Sequence, residues 1–473
     1  MHVVMFGDQH AETLGGAQVS MRLQRRFLEK AGHTVTIVAP AMHVPRGRSA
    51  PADSAYLDVP SIPVTLDREY SMSWPGRRTD RWVDAALQGR PPVDVVHVQA
   101  DFWGALIGYR FARRHRTPIV HTMHNRLDVG IEATAPFPKL VLRVLNAWQR
   151  RVLGVASEST PGRDGWSYLR RFAERADAVT APSAHFARRL EQHGVVPQSA
   201  PAVDVIWNGI DDDLLDGILA DPAHPDAGHP DPAHPDPAHP EPAHPDAGRS
   251  DGRRPAPARP DAKTPVGDAT RRPAASVPGV SASRAGVFAR EGRPRFVWLG
   301  RMSPEKRLLP FLEAVAASGV DAEVELIGGG GQLRAARRLI EKLRPRATVV
   351  FAGRVPYAET LRKIARADAV VQTSIGFETQ GMTIFEAAAL GTPSVVSDPD
   401  LAAELGDGYW PVGEAFPNGI ADASVHALAD ALRAAASDIA AGAPAVPDPT
   451  IRERFRQSSR TAAMIEVYER VSA

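Results

Sequence analysis

Short apolar runs alternate with longer amphipathic stretches on both sides of a Pro-rich middle segment. In the first part of the chain, the apolar runs are His2–Gly7, Thr34–Pro40, Asp94–Gln99, Ile119–His124, Ala178–Ser183 and Val203–Trp207. In the last part, they are Arg295–Arg301, Ala322–Gly328, Thr348–Gly353, Ala369–Ser374 and Pro393–Asp398. The residues that recur at helical spacing after Arg301 are Leu308, Phe311, Leu312 and Val315. Apolar strands that alternate with helices predict parallel sheets covered on both faces.

The middle segment, residues 213–290, has a different composition. Residues 221–274 hold 14 of the 42 prolines, and histidines recur there every five residues from His224 to His244. Such a segment has little apolar surface to bury and cannot offset the entropy of ordering, so we predict a disordered linker. A His-rich metal site is the alternative, but the prolines keep the chain extended and hold neighbouring imidazoles too far apart to share an ion.

These patterns divide the chain into four parts. One α/β domain covers residues 1–212, the linker covers 213–290, and a second α/β domain covers 291–449. Within the last part, residues 450–473, the stretch Thr450–Val471 predicts one more amphipathic helix. We therefore expect two doubly wound, Rossmann-like parallel-sheet domains joined by a disordered insertion.

Charge and composition exclude several classes of protein. The 56 basic and 55 acidic side chains nearly balance, which argues against a dedicated nucleic-acid-binding protein. Because the chain has no cysteine, disulfides, zinc–thiolate sites and thiol catalysis are excluded. No apolar run reaches about 18 residues, and the first seven residues lack the features of a signal peptide, so we expect a soluble, cytoplasmic protein.

The first strand ends at a glycine pair that opens a helix. Gly15 and Gly16 offer bare backbone N–H groups to an anion at the carboxyl end of the strand, although a plain tight turn is an equal alternative. The pair is not a dinucleotide fingerprint, because no G-x-G-x-x-G is present and the second strand ends at Pro40 without an acidic residue for a ribose. An NAD-dependent enzyme is therefore disfavoured.

The second domain opens with a strand that is followed by Arg301 and Lys306. Two cationic side chains five residues apart at a strand-to-helix junction can converge on a diphosphate and neutralise charge on a leaving group. The alternative is a solvated first turn in which Pro304 and Glu305 simply start a helix. Lys306 is one of only six lysines.

The most informative motif is a pair of glutamates, Glu378 and Glu386, eight residues apart. Glu378 lies in a predicted loop, and Glu386 lies in a helix that is otherwise apolar from Ile384 to Leu390. A buried carboxylate in such a helix needs a polar partner, and a sugar or ribose hydroxyl would serve. Gly381 leaves N–H groups free at the positive helix end, where an anionic group can bind.

In their order along the chain, these motifs resemble those of the retaining glycosyltransferases of family 4, which have the GT-B fold. The motifs that carry the resemblance are the E-x7-E pair, G-R-x-x-x-E-K at 300–306, N-G-I-D at Asn208–Asp211 and G-G-x-Q at 15–18. The resemblance covers both domains and skips the linker. It implies an acceptor-side first domain, a nucleotide-sugar-binding second domain across a cleft, and a terminal helix at 450–473 that crosses back to the first domain.

The resemblance implies a role for each matching residue. Glu386 would hold the ribose of the nucleotide, and Glu378 would face hydroxyls of the donor sugar. Arg301 and Lys306 would clamp the diphosphate, and His124 matches the family histidine near the donor sugar. The remaining implied contacts are a phosphate cradle from the backbone at Gly15, Gly16, Gly381, Met382 and Thr383, a main-chain contact of Val355 with the base, and an acidic group near sugar or acceptor at Glu12. We interpret His97 and His121 as structural.

The same resemblance implies the reaction and its requirements. A hexosyl group would move from a UDP- or GDP-sugar to an acceptor hydroxyl with retention of configuration, without a cofactor or metal ion. Asp211–Asp213 and Asp398–Asp400 look like D-x-D metal motifs, but enzymes of this family generally work without a catalytic metal. One departure is the run Gly328–Gly331, which replaces the family's G-x-G-P turn and removes any side-chain contact there.

The acceptor is less defined by the sequence than the donor. The stretch Phe137–Gly154 predicts a helix with apolar and arginine-rich faces that either rests on an anionic membrane or packs in the core. The segment Glu378–Gly381 resembles the version found in diacylglycerol glucosyltransferases, which favours a membrane glycerolipid and a peripheral position at the inner face of the membrane. Inositol phosphate and a cell-envelope polysaccharide are alternative acceptors. A non-catalytic sugar-nucleotide-binding protein is the alternative from another class.

Overall fold

Two parallel sheets, each covered by helices, form the framework of the protein. The structure is a computed structural model that describes residues 1–13, 16–43, 53–65, 68, 70–134, 137–154, 162–220, 292–414 and 419–473. The predicted α/β architecture is confirmed in both halves. We refer to the first sheet with its helices as the N-lobe and to the second sheet with its helices as the C-lobe.

Within the described residues, the N-lobe sheet has seven strands in the order β3-β2-β1-β6-β7-β8-β9, and neighbouring strands pair in parallel. The strands of the first lobe are β1 (His2–Gly7), β2 (Thr34–Pro40), β3 (Tyr56–Val59), β4 (Ile62–Pro63), β5 (Ser71–Met72), β6 (Val95–Gln99), β7 (Ile119–Thr122), β8 (Ala178–Ala181) and β9 (Asp204–Val205). Strands β4 and β5 form a separate antiparallel pair. The central strands are fully buried because helices cover both faces of the sheet.

Seven helices connect the described strands of the N-lobe. They are α1 (Gly16–Lys30), α2 (Arg77–Leu87), α3 (Trp103–His115), α4 (Leu127–Thr134), α5 (Pro138–Leu153), α6 (Gly165–Ala173) and α7 (Ala184–Gln192). One core lies on the face of the sheet that packs against α3 and α6, and a second lies on the opposite face against α1. The carboxyl ends of the strands remain open toward the C-lobe.

The C-lobe sheet has six strands in the described residues, in the order β12-β11-β10-β13-β14-β15, and all neighbouring pairs are parallel. Its strands are β10 (Arg295–Leu299), β11 (Glu323–Ile327), β12 (Thr348–Gly353), β13 (Ala369–Gln372), β14 (Ser394–Val396) and β15 (Tyr409–Pro411). Its helices are α8 (Asp212–Ala220), α9 (Leu308–Ser318), α10 (Leu333–Leu343), α11 (Tyr357–Arg366), α12 (Met382–Leu390), α13 (Pro399–Leu405), α14 (Val425–Ala440) and α15 (Thr450–Phe455). The apolar positions predicted for α9 are buried in the core of this lobe.

Helix α8 begins inside the segment that the sequence predicts to be a disordered linker. Leu215 and Ile218 are buried in a core shared with α11 and α12, so residues 213–220 belong to the folded C-lobe. The acidic start of this helix, Asp212 and Asp213, resembled linker composition, but acidic residues also favour a helix N-terminus. The rest of the predicted linker, residues 221–290, lies outside the described residues.

The C-terminal helix predicted as Thr450–Val471 is divided into two helices, α15 and α16 (Gln457–Ser472). Arg456 between them is extended, with φ −60° and ψ 137°, because the chain at Ile210 pairs with it. The Ile210 N–H donates to the Phe455 carbonyl, and the Gln457 N–H donates to the Ile210 carbonyl, each over 2.9 Å. Helix α15 packs on the C-lobe, whereas Met464, Val467 and Tyr468 of α16 pack on the N-lobe sheet. We call this crossing, residues 208–211 with 455–457, the hinge.

Glycine is required at the hinge by close approach of the two segments. A side-chain carbon at Gly209 would lie 2.8 Å from the Cα of Gln457, which is closer than such atoms pack. The N-G-I-D motif therefore has a structural function at this crossing.

Candidate active site

Three loops at the carboxyl ends of parallel strands face one another between the lobes. The first joins β1 to α1, the second follows β10 and contains a 3-10 turn at Pro304–Lys306, and the third joins β13 to α12. A side-chain carbon at Gly16 would lie 3.9 Å from the sulfur of Met382. Because Gly16 and Met382 are the first residues of α1 and α12, the N-termini of the two helices meet across the cleft. Their N–H groups and dipoles favour an anion there.

Lys306 and Glu378, predicted from separate motifs, form an ion pair in the cleft. The Lys306 ammonium contacts Oε1 of Glu378, and the Ser374 hydroxyl donates to the same oxygen over 2.7 Å. Burial alone would raise the pKa of Glu378, but the Lys306 charge and these hydrogen bonds hold the pKa below its usual range. Glu378 is therefore a carboxylate, and the chain itself neutralises Lys306.

Arg301 leaves the same loop in a different direction. Its side chain is 68% exposed, and its Nη2 donates to Oε1 of Glu305 over 3.1 Å. The Ser303 hydroxyl donates to the same oxygen of Glu305, so this carboxylate joins both ends of the contact within the loop. The structure thus places Arg301 and Lys306 on one loop but pairs them with different carboxylates.

Glu386 has a partner that the sequence did not reveal. It is buried on the second turn of α12, and the Tyr357 hydroxyl donates to its Oε1 over 2.7 Å. Burial still raises the pKa of Glu386 to about 7. Val355, half-buried, precedes Tyr357 by two residues, so the positions implied for ribose and base share one loop. No local pattern links Tyr357 to a glutamate 29 residues away along the chain.

The N-terminus of α12 depends on Gly381. This glycine has φ 71° and ψ 48°, a left-handed conformation that favours glycine, and a side-chain carbon there would approach Leu401 to 2.8 Å. Among the described residues, no side chain caps the helix at this position. The first N–H groups, at Met382 and Thr383, are therefore placed to receive an anionic ligand.

His124 lies on the N-lobe side of the cleft, just after β7. Its Nε2 is 3.3 Å from Oε1 of Gln99, and burial lowers the pKa of the imidazole to about 4, so the ring is neutral at pH 7. The Thr379 hydroxyl donates to the His124 carbonyl oxygen over 3.1 Å. The histidine backbone and the Glu378 loop thus contact each other across the lobes.

The other two histidines of this region are buried in the N-lobe. His97 lies between the hydroxyls of Thr122 and Tyr468, at 2.7 and 2.6 Å, and His121 lies 2.9 Å from both the Tyr109 hydroxyl and the Ala100 carbonyl oxygen. Burial lowers the pKa of each to about 3. These contacts agree with the structural roles that we expect for them.

Glu12 is engaged within the N-lobe. The Tyr56 hydroxyl donates to its Oε1 over 2.6 Å, and Arg22 lies 3.8 Å from Oε2. The structure does not bring Glu12 into contact with the C-lobe residues described above. Gly15, predicted as part of the phosphate cradle, lies outside the described residues.

The two aspartate motifs that resemble metal sites have partners of their own. Asp211 pairs with Arg26 of α1, and Asp213 pairs with Arg26 and Lys30 at 3.1 and 2.9 Å. Asp398 accepts hydrogen bonds from the N–H groups of Gly376 and Asp400 and begins α13. These carboxylates thus hold helices α1, α8 and α13 in place.

The loop that carries Glu378 is bound to the N-lobe through Gln380, which sequence reasoning missed. The side-chain oxygen of Gln380 accepts from the backbone N–H and the side-chain amide of Asn208, at 3.0 and 2.7 Å, and its amide donates to the Asn208 carbonyl. Ser20 of α1 donates to Oδ1 of Asn208 over 2.6 Å. The sequence signal for this contact is the N-G-I-D motif, to which Asn208 belongs.

A pair of buried carboxyl groups behind the β1 loop was also missed. Asp8 accepts hydrogen bonds from the N–H groups of Asp101, Phe102 and Gly104 and so caps the start of α3. Burial raises the pKa of Asp8 to about 6 and that of Asp101, which also faces the Asp8 charge, to about 7. The Asn125 amide donates to Asp101, so this pair fixes the segment next to His124.

Family models match both lobes. Residues 14–214 match the model described as Glycosyltransferase Family 4, and residues 281–439 match the model described as Glycosyl transferases group 1. The chain belongs to glycosyltransferase family 4. The site built from Glu378, Glu386 and Lys306 lies within the second match, and Gly16 and His124 lie within the first.

Two curated relatives of this family 4 chain act on lipids according to their names. The chain is 24% identical over 168 residues to an alpha-monoglucosyldiacylglycerol synthase of Streptococcus pneumoniae. The aligned stretch covers 35% of this chain and 36% of the relative. The chain is 33% identical over 199 residues to a phosphatidyl-myo-inositol mannosyltransferase of Mycobacterium leprae. That alignment covers 38% of this chain and 49% of the relative. The chain therefore matches about half or less of the length of each relative.

The fold is shared with glycosyltransferases of known structure. Anabaena HepE in complex with UDP and glucose superposes with a TM-score of 0.57 at 15% identity, over 99% of this chain and 100% of that one. The GT-B arrangement expected from the resemblance is thereby confirmed. Within the described residues, no helix of the family 4 chain combines the length and the apolar character that crossing a bilayer requires.

Proposed function

We propose that this family 4 chain transfers a hexosyl group from a UDP- or GDP-sugar to an acceptor hydroxyl with retention of configuration. The observation that carries the proposal is the ion pair of Lys306 and Glu378 beside the uncapped N-terminus of α12, with Gly16 directly opposite. This arrangement offers cations and N–H groups for a diphosphate next to a carboxylate for sugar hydroxyls.

The nucleotide end of the donor would lie between α11 and α12. Glu386 would accept hydrogen bonds from the ribose hydroxyls, with the Tyr357 hydroxyl holding the carboxylate in place. The main chain at Val355 would contact the base from the same loop. The solved structure of HepE contains UDP and glucose, which supports a nucleotide-sugar donor for this chain.

Catalysis would rest on charge stabilisation at the leaving group. Negative charge on the diphosphate grows as the glycosidic bond breaks, and Lys306, Arg301 and the N–H groups at Met382 and Thr383 would stabilise it. Among the residues of the cleft that the structure describes, no side chain matches a dedicated nucleophile. Retention would therefore proceed on one face of the sugar, with the departing phosphate oxygen taking the acceptor proton. Lys306 and Arg301 would stabilise the leaving diphosphate without a metal ion.

A membrane glycerolipid is the acceptor we favour. Along α5, Leu145, Trp148 and Val152 pack against the core, whereas Leu140 and Val144 are 57% and 59% exposed, and Phe137, directly before the helix, is 70% exposed. Lys139 and Arg143 lie exposed among these apolar residues, and Trp74, 64% exposed, packs beside Trp148. An exposed apolar stripe with interleaved cations fits the surface of an anionic membrane, at which the protein would bind peripherally.

The test measures transfer and acceptor separately. The full chain is incubated with UDP-glucose, UDP-galactose or GDP-mannose, first in buffer and then with vesicles of phosphatidylglycerol and diacylglycerol. We expect slow release of nucleotide in buffer, faster release with vesicles, and a glycolipid whose anomeric configuration matches the donor. A paired Leu140→Gln and Val144→Gln variant should lose the vesicle stimulation and retain donor hydrolysis.

Each alternative predicts a different result. Nucleotide binding without any hydrolysis or transfer would indicate a non-catalytic sugar-nucleotide-binding protein. Transfer to inositol phosphate or to an envelope polysaccharide, with no effect of vesicles, would reject the lipid acceptor and keep the transferase. Inversion of the anomeric configuration would reject the one-face mechanism.

A further inference from the structure

A cavity of about 530 Å³ lies at the hinge, outside the cleft that holds the predicted donor residues. Its wall is formed by α7 of the N-lobe, α13 of the C-lobe, and the two C-terminal helices α15 and α16. The side chains that determine its character are Arg188, Arg454, Arg460, Trp207 and Glu404. A volume of this size is typical of sites for small molecules.

The three arginines of this cavity have no carboxylate partner within the described part of the chain. Arg454 lies over the ring of Trp207, with 4.3 Å from the guanidinium carbon to the ring centre. The Nε atom of Arg460 is buried and makes no hydrogen bond. Burial lowers the pKa of Arg460, and the nearby charge of Arg454 lowers it further. The Arg460 guanidinium therefore has no paired counter-charge in the described chain, whereas the exposed Arg454 interacts with the Asp448 carboxylate only beyond ion-pair distance.

The single carboxylate in the wall, Glu404, is already satisfied. It accepts hydrogen bonds from the N–H of Ala184 and from Nε1 of Trp207, at 2.8 and 3.0 Å, and its other oxygen lies 2.7 Å from Nδ1 of His185. The Glu404–His185 pair is buried, and it raises the pKa of His185 and lowers that of Glu404. Both oxygens of Glu404 are therefore engaged by His185, Ala184 and Trp207, and neither pairs with an arginine of the cavity.

We propose that this hinge cavity binds a phosphate group, carried by a small phosphorylated molecule or present as inorganic phosphate. Guanidinium groups bind phosphate through paired, charge-assisted hydrogen bonds, and an unpartnered buried Nε–H is costly unless a ligand accepts from it. Arg188 extends from the N-lobe, whereas Arg454 and Arg460 lie on either side of the hinge. A bound phosphate would therefore contact both lobes at the hinge.

The proposal is tested by titration calorimetry of the full chain with inorganic phosphate and with glycerol 3-phosphate. The donor cleft also holds cations, so the titrations are repeated on Lys306→Ala, which removes one of the cleft cations. We expect binding that survives Lys306→Ala and becomes roughly 10- to 100-fold weaker in Arg454→Gln and in Arg460→Gln. The matched control is Arg338→Gln, because Arg338 is an exposed arginine on α10 of the C-lobe.

The outcomes distinguish a phosphorylated small molecule from free phosphate, and they distinguish failure of this proposal from failure of the proposed function. Tighter binding of glycerol 3-phosphate than of inorganic phosphate would identify a phosphorylated small molecule as the ligand, and the reverse order would identify free phosphate. Loss of binding in Lys306→Ala alone, or no binding stronger than about 10 mM in the parent, would overturn the proposal. The thermal midpoint without phosphate reports folding, and Arg460→Gln should not lower it, because the change removes a repulsive charge. None of these readouts requires transferase activity.

Discussion

Two groups of cationic side chains face cavities in this molecule, and they differ in what neutralises them. In the cleft, Lys306 contacts Glu378 and Arg301 contacts Glu305, so each cation has a carboxylate supplied by the chain. At the hinge, Arg454 and Arg460 have no such partner in the residues that the structure describes, and Glu404 is occupied by His185. The two cations of the cleft are thus paired without a ligand, whereas Arg460 at the hinge is not.

This difference has consequences for binding and catalysis. A diphosphate that enters the cleft must share or replace the Glu378 contact of Lys306, which reduces the net gain in the ground state. As charge grows on the leaving group, the cation can shift toward it, so the gain is larger in the transition state. At the hinge, an anion replaces no partner, and its full contact energy contributes to affinity and to holding the lobes together.

The largest effect is expected from the cleft cations. Lys306→Ala should lower kcat by on the order of 10²–10³ with little change in the donor KM, because one stabilising donor of the leaving group is lost. Arg301→Lys should also lower kcat, since a point charge cannot reproduce a planar, two-pronged contact. The measurement is steady-state kinetics of nucleotide release at saturating acceptor.

The matched control for this prediction is Lys342→Ala, an exposed lysine on α10 that contacts nothing in the cleft. Its kcat should equal that of the parent. A donor KM that rises in Lys306→Ala while kcat stays level would mean that the pair only holds the substrate. The contrast between the two cationic groups would then disappear, because both would act in ground-state binding.

A smaller effect separates the two glutamates. Glu386→Ala should weaken the binding of free UDP or GDP by about tenfold, because the ribose hydroxyls lose a charged acceptor. Glu378→Ala should not weaken nucleotide binding, because it also frees Lys306, and it should mainly slow transfer, because the implied contact of Glu378 is with the sugar. Calorimetry with the free nucleotide decides between them, and an equal loss of affinity in both variants would contradict this division.

The fold and the positions of the site loops were predictable because they depend on local patterns. Apolar runs with helical stretches between them identified the strand ends, and glutamate, glycine and basic residues at those ends identified Lys306, Glu378 and Glu386. The contacts of these side chains were not predictable in the same way. The Tyr357 hydroxyl on Glu386 and the Asn208–Gln380 contact join residues far apart in the sequence, and they exist only once both lobes are folded.

Two elements differ from the prediction, and at the first of them long-range packing overrides local sequence. The chain at Arg456 has neither glycine nor proline, and its break between α15 and α16 follows from the pairing of Ile210 with Phe455 and Gln457. Residues 213–220 hold four Leu or Ile residues and no proline, unlike the neighbouring linker, and Leu215 and Ile218 bind α8 to the C-lobe. The hinge arginines carry no motif, and their convergence from three helices leaves no signal in the sequence.

The elevated pKa of Glu386 predicts a pH dependence of donor binding. Burial raises this pKa to about 7 in the free protein, and hydrogen bonds from ribose would stabilise the charged form and lower it. Binding therefore releases a proton and strengthens as pH rises from about 6 to about 8, by severalfold and at most tenfold per pH unit. UDP-glucose is the suitable ligand, since its diphosphate does not titrate in this range.

This pH dependence is measured by calorimetry in buffers with different ionisation enthalpies, which reports the number of protons released. Glu386→Gln should bind more weakly and show no proton release, whereas Glu378→Gln should retain it because the pKa of Glu378 is already low. A parent protein that releases no proton at pH 7 would mean that Glu386 does not change its ionisation on binding. The implied ribose contact would then be wrong.

The smallest effect is expected from the segment between α8 and β10. Residues 221–291 carry acidic side chains that could supply the hinge arginines with counter-charges. In that case the hinge arginines would be paired like the cations of the cleft. We expect that replacing this segment with a Gly/Ser tether leaves donor turnover and phosphate affinity within a few fold, because the described lobes contain all the proposed contacts of the cleft and the hinge cavity. The replacement keeps α8 intact, since Leu215 and Ile218 belong to the C-lobe core.

Phosphate affinity that increases more than about tenfold in the replaced chain would show that the segment's carboxylates compete for the arginines. A loss of turnover of more than about a hundredfold with an unchanged thermal midpoint would show that the segment contributes to catalysis.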